Sequence, residues 1–238
     1  LNMAGPATVV LLGGIVGADL APDPSLATLP ASLGILSTAL ISIPAVLYMR
    51  RVGRKLGFIT GTAVAGAGAL LAAFAITQGS FILFCIAIVL IGQNSAFILQ
   101  YRFAAAESVD AAFAGRSISL VLLGGILAGY LGPEVAQRTQ SLLPTHYTGS
   151  FVALASLYGV AIILFSLLHR ISPPATLGDS SGRPLPQIAK QPAFLVAVLA
   201  GVVSYGLMNF VMTATPLHMH GTGFSLGDTA WVIQSHII

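Results

Sequence analysis

The chain has 238 residues, of which 56% are hydrophobic and only 7% charged, against about 25% charged in an ordinary soluble domain. So few charges leave too little polar surface for a water-soluble globule, and so apolar a composition excludes a disordered chain. Ten Lys+Arg against seven Asp+Glu make it basic, but the cations are too few to track nucleic-acid phosphates, and no nucleic-acid partner is expected.

A hydrocarbon layer of about 30 Å takes about 20 apolar residues of helix to cross. In chain order, such runs predict spans over residues 3–20, 28–49, 56–77, 81–101, 117–136, 149–168 and 193–215, and an eighth starts near residue 226 and is still running at Ile238. The expected fold class is all-α, a polytopic membrane helix bundle with the lipid bilayer around it.

The first span carries Asp19 near its end. A basic loop follows the second: Arg50, Arg51, Arg54 and Lys55. The third has Gly57, Gly61, Ala65, Ala69 and Ala73 at every fourth position, a stripe that lets helices approach closely. The fourth has Gln93 with Asn94 beside it, and Gln100 seven residues on, on the face of Gln93. Arg102, Glu107, Asp110 and Arg116 lie around the connection to the fifth, which carries Gly125, Gly129, Gly132, Pro133 and Glu134. Tyr205, Asn209 and Thr213 stand four apart in the seventh, and Gln234 and His236 lie in the eighth. Polar residues inside spans are costly and tend to face a cavity. Gln93, Asn94, Tyr205, Asn209 and His236 are therefore candidates to hydrogen-bond a substrate. Asp19, Glu134 and His236 are candidates to carry a proton, since burial raises a carboxylate's hold on one and histidine titrates near neutrality.

Alternating spans divide the loops into two sets. Arg50, Arg51, Arg54, Lys55, Arg102, Arg116, Arg170, Arg183 and Lys190 fall in one, and only Arg138 in the other. The positive-inside rule puts the first set, and with it the N-terminus, in the cytoplasm. Residues 171–191 are rich in Pro, Ser and Gly and read as a cytoplasmic linker. The expected division is a six-span bundle over residues 1–169, a linker over 170–192, and the start of a second bundle over 193–238. Ser25-Leu26 and Ser225-Leu226 occupy matching places in the two halves. That layout predicts a first span truncated at its start and a second bundle that continues beyond Ile238.

Other signals are weaker. Cys85 lies in an apolar run and reads as a small buried hydrophobe. Gly178-Asp179-Ser180-Ser181-Gly182 matches the nucleophile-elbow pattern but lies in the Pro-rich linker, without the strand and helix that the pattern needs. His218-Met219-His220 is too short a pattern to predict a metal. No Walker A sequence occurs. No cofactor, metal or catalytic residue is expected, and an enzyme is not.

Arg51-Val52-Gly53-Arg54-Lys55 resembles the second half of the loop signature of the major facilitator superfamily, G-x-x-x-D-R-x-G-R-K. Val46 stands at the leading Gly position and Arg50 at the Asp position. The resemblance implies that Arg51, Gly53, Arg54 and Lys55 belong to a cytoplasmic gate, which Arg102, Glu107 and Arg116 are placed to join. Gly125, Gly129, Gly132 and Pro133 are similar to the glycine-proline motif of the superfamily's exporters, without the trailing Gly-Gly. The implied protein is a secondary transporter of the inner membrane, with twelve spans in two halves that rock about a central site. The first, fourth and seventh spans would line the path. Its expected partners are a small-molecule substrate, protons and the rest of its own second bundle. Export is favoured over uptake of a metabolite by symport. The alternative from another class is a membrane receptor or enzyme.

Overall fold

The computed structural model describes residues 1–168 and 185–237. The helices are α1 (Ala4–Leu20), α2 (Leu29–Val52), α3 (Arg54–Thr77), α4 (Phe81–Gly92), α5 (Asn94–Ile98), α6 (Tyr101–Glu107), α7 (Ala114–Thr139), α8 (Thr148–Leu167), α9 (Leu185–Ala189), α10 (Pro192–Gly221) and α11 (Leu226–Ile237). Among the described residues there is no strand. Among the described residues, six helical stretches are long and apolar enough to cross a membrane, while α1 has 17 residues and α11 has 12. Large apolar side chains such as Leu40, Ile43, Ile82 and Leu127 remain exposed on their outer faces, as expected where lipid is the solvent.

Helix bounds follow local chemistry. Gly53 takes φ 89°, so α2 ends and α3 begins across one residue; a side chain is disfavoured in that left-handed region. The Ser80 hydroxyl accepts from the Leu83 amide and caps α4. The small-residue stripe of α3 is buried. A Cβ on Gly61 would lie 2.6 Å from the Phe97 ring, and one on Gly68 would lie 2.8 Å from Leu90. Lipid provides no hydrophobic drive toward a partner helix, so this close approach, and the dispersion it brings, holds α3 against α4 and α8. Leu11, Leu12, Ile15, Phe84, Ile88, Phe151 and Leu154 complete the core.

Two features differ from expectation. The fourth span, expected over residues 81–101, is one long helical stretch, Phe81–Glu107, divided into α4, α5 and α6 by turns at residue 93 and at residues 99–100 that keep right-handed helical angles. Hydropathy alone does not register such turns, because an apolar run stays apolar through them. The linker region contains α9, and the G-x-S-x-G match lies outside the described residues.

α10 and α11 meet the first bundle at one end only. A Cβ on Gly14 of α1 would lie 3.8 Å from the Thr213 carbonyl oxygen and 3.9 Å from Leu217. The Ile237 side chain closes directly over Gly129. Residues 192–208, in the opposite half of α10, are exposed throughout.

Candidate functional site

Three polar constellations stand out, one at each end of the first bundle and one in its interior. At the basic end, Arg54 grips α6. Its Nε donates to Glu107 Oε2 at 3.0 Å, Nη2 to Glu107 Oε1 at 2.7 Å, and Nη1 to Gln100 Oε1 at 3.2 Å. The two side chains are 17% and 22% exposed, so this forked pair is less screened than a surface ion pair. Lys55 turns the other way. Its Nζ donates to the carbonyls of Ser166 at 2.5 Å and Leu168 at 2.8 Å, satisfying acceptors that the end of α8 leaves open. Gly53 is the left-handed joint that lets both cations start α3. Arg51, Arg102 and Arg116 are exposed and join neither cluster among the described residues.

In the interior, Asn94 is 1% exposed, and its Nδ2 donates to Asn2 Oδ1 at 2.8 Å. Asn2 Nδ2 donates to Thr62 Oγ1 at 3.0 Å and to the Tyr101 hydroxyl. Thr62 donates to the Phe58 carbonyl at 2.7 Å. Tyr158 points its hydroxyl at Gly5, into space that a Cβ there would fill. Gln93 Nε2 donates to the Gly61 carbonyl at 2.9 Å. The sequence placed Gln93 and Asn94 on a substrate path. The structure spends their amides on α3 and on Asn2, because the turn at residue 93 swings them into the bundle. Asn2, Thr62, Tyr101 and Tyr158 were missed; the available signal was a polar residue within or beside an apolar run.

At the opposite end lies the seam between α10 and α11 and the helices α1 and α7. Gln234 Nε2 donates to the Tyr130 carbonyl at 3.0 Å and to Glu134 Oε2 at 3.4 Å, and Glu134 also holds Arg138 through a 2.5 Å ion pair. His220 Nε2 stands 3.9 Å from Asp19 Oδ1. Tyr147, in the loop before α8, ionises above its ordinary range, first through burial and then through the charge of Asp19. A Cβ on Gly132 would lie 2.5 Å from the Ala4 carbonyl oxygen, and one on Gly125 would lie 3.4 Å from Met3 Sδ. The glycine stripe before Pro133 thus seats α1 on α7, and Gly129 on the same helix admits α11.

Tyr205 is 63% exposed on α10, and Asn209 donates to the Tyr205 carbonyl at 2.8 Å. His236 is exposed on α11. A cavity of about 590 Å³ lies between α6, α7 and α8, bordered by Leu1, Asn2 and Met3 and walled by Phe58, Tyr101 and Phe165. None of the five substrate candidates lines it. Among the described residues no group of three or more His, Cys, Asp or Glu could hold a metal.

The family model described as Major Facilitator Superfamily matches residues 2–236. The riboflavin transporter RfnT of Brucella anthropi is 37% identical over all of this chain, which covers 61% of that protein. Two proteins of Bacillus subtilis, the uncharacterized MFS-type transporters YdeG and YddS, are each 23% identical over 98% of the chain, which covers 58% and 57% of them. The chain therefore spans less than two thirds of the length of these relatives. No solved structure matches.

Proposed function

Because the chain belongs to the Major Facilitator Superfamily, a family of transporters, we propose that the whole protein carries a small organic solute across a membrane by alternating access, with riboflavin the first solute to test. One observation carries the substrate: 37% identity along the entire chain to a protein named as a riboflavin transporter. The physical support for alternating access is the seam that α10 and α11 make with α1 and α7, through Asp19–His220 and Gln234–Glu134, which is the kind of contact that such a cycle would have to open.

Tyr205 and Asn209 on α10 are assigned to the solute in this reading, with His236 further along the path. Gln93 and Asn94 act on the path by fixing the break in the fourth span. Glu134 and Asp19 are the proton carriers in this reading, and the inner membrane, with the basic end in the cytoplasm, is its setting. The loose glycine-proline match on α7 favours export. Riboflavin fluoresces, so binding to the purified whole protein is read as quenching. Tyr205→Ala and Asn209→Ala are each expected to weaken binding about tenfold, the loss of one hydrogen bond or stacking contact. Binding of riboflavin no tighter than to the empty detergent micelle would end the substrate assignment. Opposite pH gradients across vesicles distinguish export from uptake.

A further inference from the structure

We propose that Gln234 is a positioning residue through which α11 responds to the proton on Glu134: α11 is held on α7 while Glu134 is charged and is released when it is neutral. The inference rests on the reading of Glu134 as a proton carrier.

α11 lies along the second half of α7 in the opposite direction. Ile237 sits over Gly129, Gln234 reaches Tyr130 and Glu134, and a Cβ on Gly227 would lie 2.5 Å from Gln137 Nε2. The two outer contacts are close approaches at glycine, which no proton alters. The middle one is polar and divided. Gln234 is 6% exposed, and its Nε2 donates both to the Tyr130 carbonyl at 3.0 Å and to Glu134 Oε2 at 3.4 Å. The other carboxylate oxygen, Oε1, accepts from Arg138 Nε at 2.7 Å. Each oxygen of Glu134 thus has its own donor, one from its own helix and one from α11.

The chemistry of a carboxyl group makes this contact conditional. An ionised carboxylate only accepts, and hydrogen bonds to it are roughly twice as strong as bonds between neutral groups. A neutral Glu134 leaves the Tyr130 bond in place but weakens the bond from Gln234 and frees Arg138. Arg138 is 76% exposed and turns to water, whereas Gln234 is buried in the seam. Taking up a proton and parting α11 from α7 therefore favour each other.

Among the described residues, the other titratable groups on the neighbouring elements are engaged elsewhere. On α11, Asp228 accepts from Ser225 at 2.6 Å and His236 is exposed. On α1, Asp19 stands by His220 of α10. In the loop before α8, His146 and Tyr147 stack with ring centres 4.2 Å apart, and on α8 Tyr158 points at Gly5. On α6, Glu107 pairs with Arg54, and Arg102 is exposed. Acid charges His220 and so strengthens its pair with Asp19. That is the opposite sign, so the two seam contacts are separated by the direction of their response.

The test is an interspin distance measurement in the whole protein, in a Cys85→Ser background, at about pH 8 and about pH 4, the interval over which a carboxylate takes up much of its proton. One labelled pair, Leu127→Cys with Ser235→Cys, at exposed positions, reports the α7–α11 seam; a control pair, Ile82→Cys with Leu29→Cys, reports α4 and α2. In the protein with Glu134 and Gln234 intact, acid is expected to raise the parted population of the seam pair about fivefold, the gap between a charged and a neutral hydrogen bond. Glu134→Gln should show that population already at the higher pH, with no further rise in acid. Gln234→Glu should reverse the sign, because two facing carboxylates repel when charged and share a proton in acid. An equal acid response with and without Glu134→Gln would overturn the proposal, and so would acid-driven parting in Gln234→Glu. A control pair that changes together with the seam pair would overturn it too, by showing that acid loosens the whole bundle. The carrier reading is scored separately, by riboflavin flux under a pH gradient in Glu134→Gln: retained coupling would end that reading and leave the seam response to be decided by the distances.

Discussion

At the scale of single residues, the interior polar chain shows how costly groups become useful in lipid. Asn2, Thr62, Asn94 and Tyr101 each carry hydrogen-bonding atoms into a setting where an unpaired one costs about 1–3 kcal/mol, and they largely satisfy one another. Gly5 belongs to the same design, because its missing side chain makes room for the Tyr158 hydroxyl. Gly5→Ala should therefore lower the thermal unfolding midpoint in detergent, by an overpacking cost of about 1–3 kcal/mol. Tyr158→Phe in the same chain should return part of that loss. Two independent, additive losses would contradict the contact.

Tyr147 offers a pH-dependent test. Its raised pKa means that the folded state holds the phenol proton more tightly than the unfolded chain. The stabilisation is complete below the ordinary value of about 10 and is lost as pH rises through the folded value. Asp19→Asn removes the smaller of the two causes, so Tyr147 should then ionise at lower pH. A near-ultraviolet difference titration against Tyr147→Phe checks this; an unmoved titration would separate Asp19 from Tyr147.

At the scale of elements, the spans were legible because hydropathy and charge bound them. Gly53, Ser80 and Pro192 end or start helices where the sequence changes character, and predicted and observed bounds lie close together for six of the eight runs, while α10 runs on from the expected end at residue 215 to Gly221. The fourth run hid its turns because part of the signal lay in another helix. Ser37 and Thr38 on α2 donate to the Val89 and Gly92 carbonyls, a pairing that a sequence read one run at a time does not give. The motif cations show the same limit. The loop pattern marked Arg54 and Lys55 as a unit, whereas the fold sends one to α6 and the other to the end of α8. Lys55→Met should leave the Arg54 cluster in place but loosen the last turn of α8, with faster amide hydrogen exchange there by about tenfold, the worth of one charged hydrogen bond. Exchange at the wild-type rate would show that the lysine is dispensable for that end.

At the largest scale, α10 and α11 share a seam with α1 and α7, and the Asp19 and His220 side chains mark it. A short bifunctional thiol crosslinker between Ala21→Cys and Gly221→Cys, which flank the Asp19–His220 pair in sequence, in the Cys85→Ser background, should stop transport, and a cleavable linker should restore it on cleavage. Full activity while crosslinked would mean that the seam does not open. Little of this seam was legible in the sequence. Asp19 and Glu134 were visible as acids near the ends of their spans, but their partners lie far along the chain and only the packing of α10 and α11 on α1 and α7 brings them together. Substrate identity is legible only through similarity, since Tyr205 and Asn209 offer hydrogen bonds that many solutes can use.

The most direct test of the central claim is solute flux. Liposomes containing the whole protein and preloaded with unlabelled riboflavin should accumulate labelled riboflavin from outside, saturably and well above protein-free liposomes; accumulation no greater than in protein-free liposomes, under either direction of pH gradient, would contradict the account.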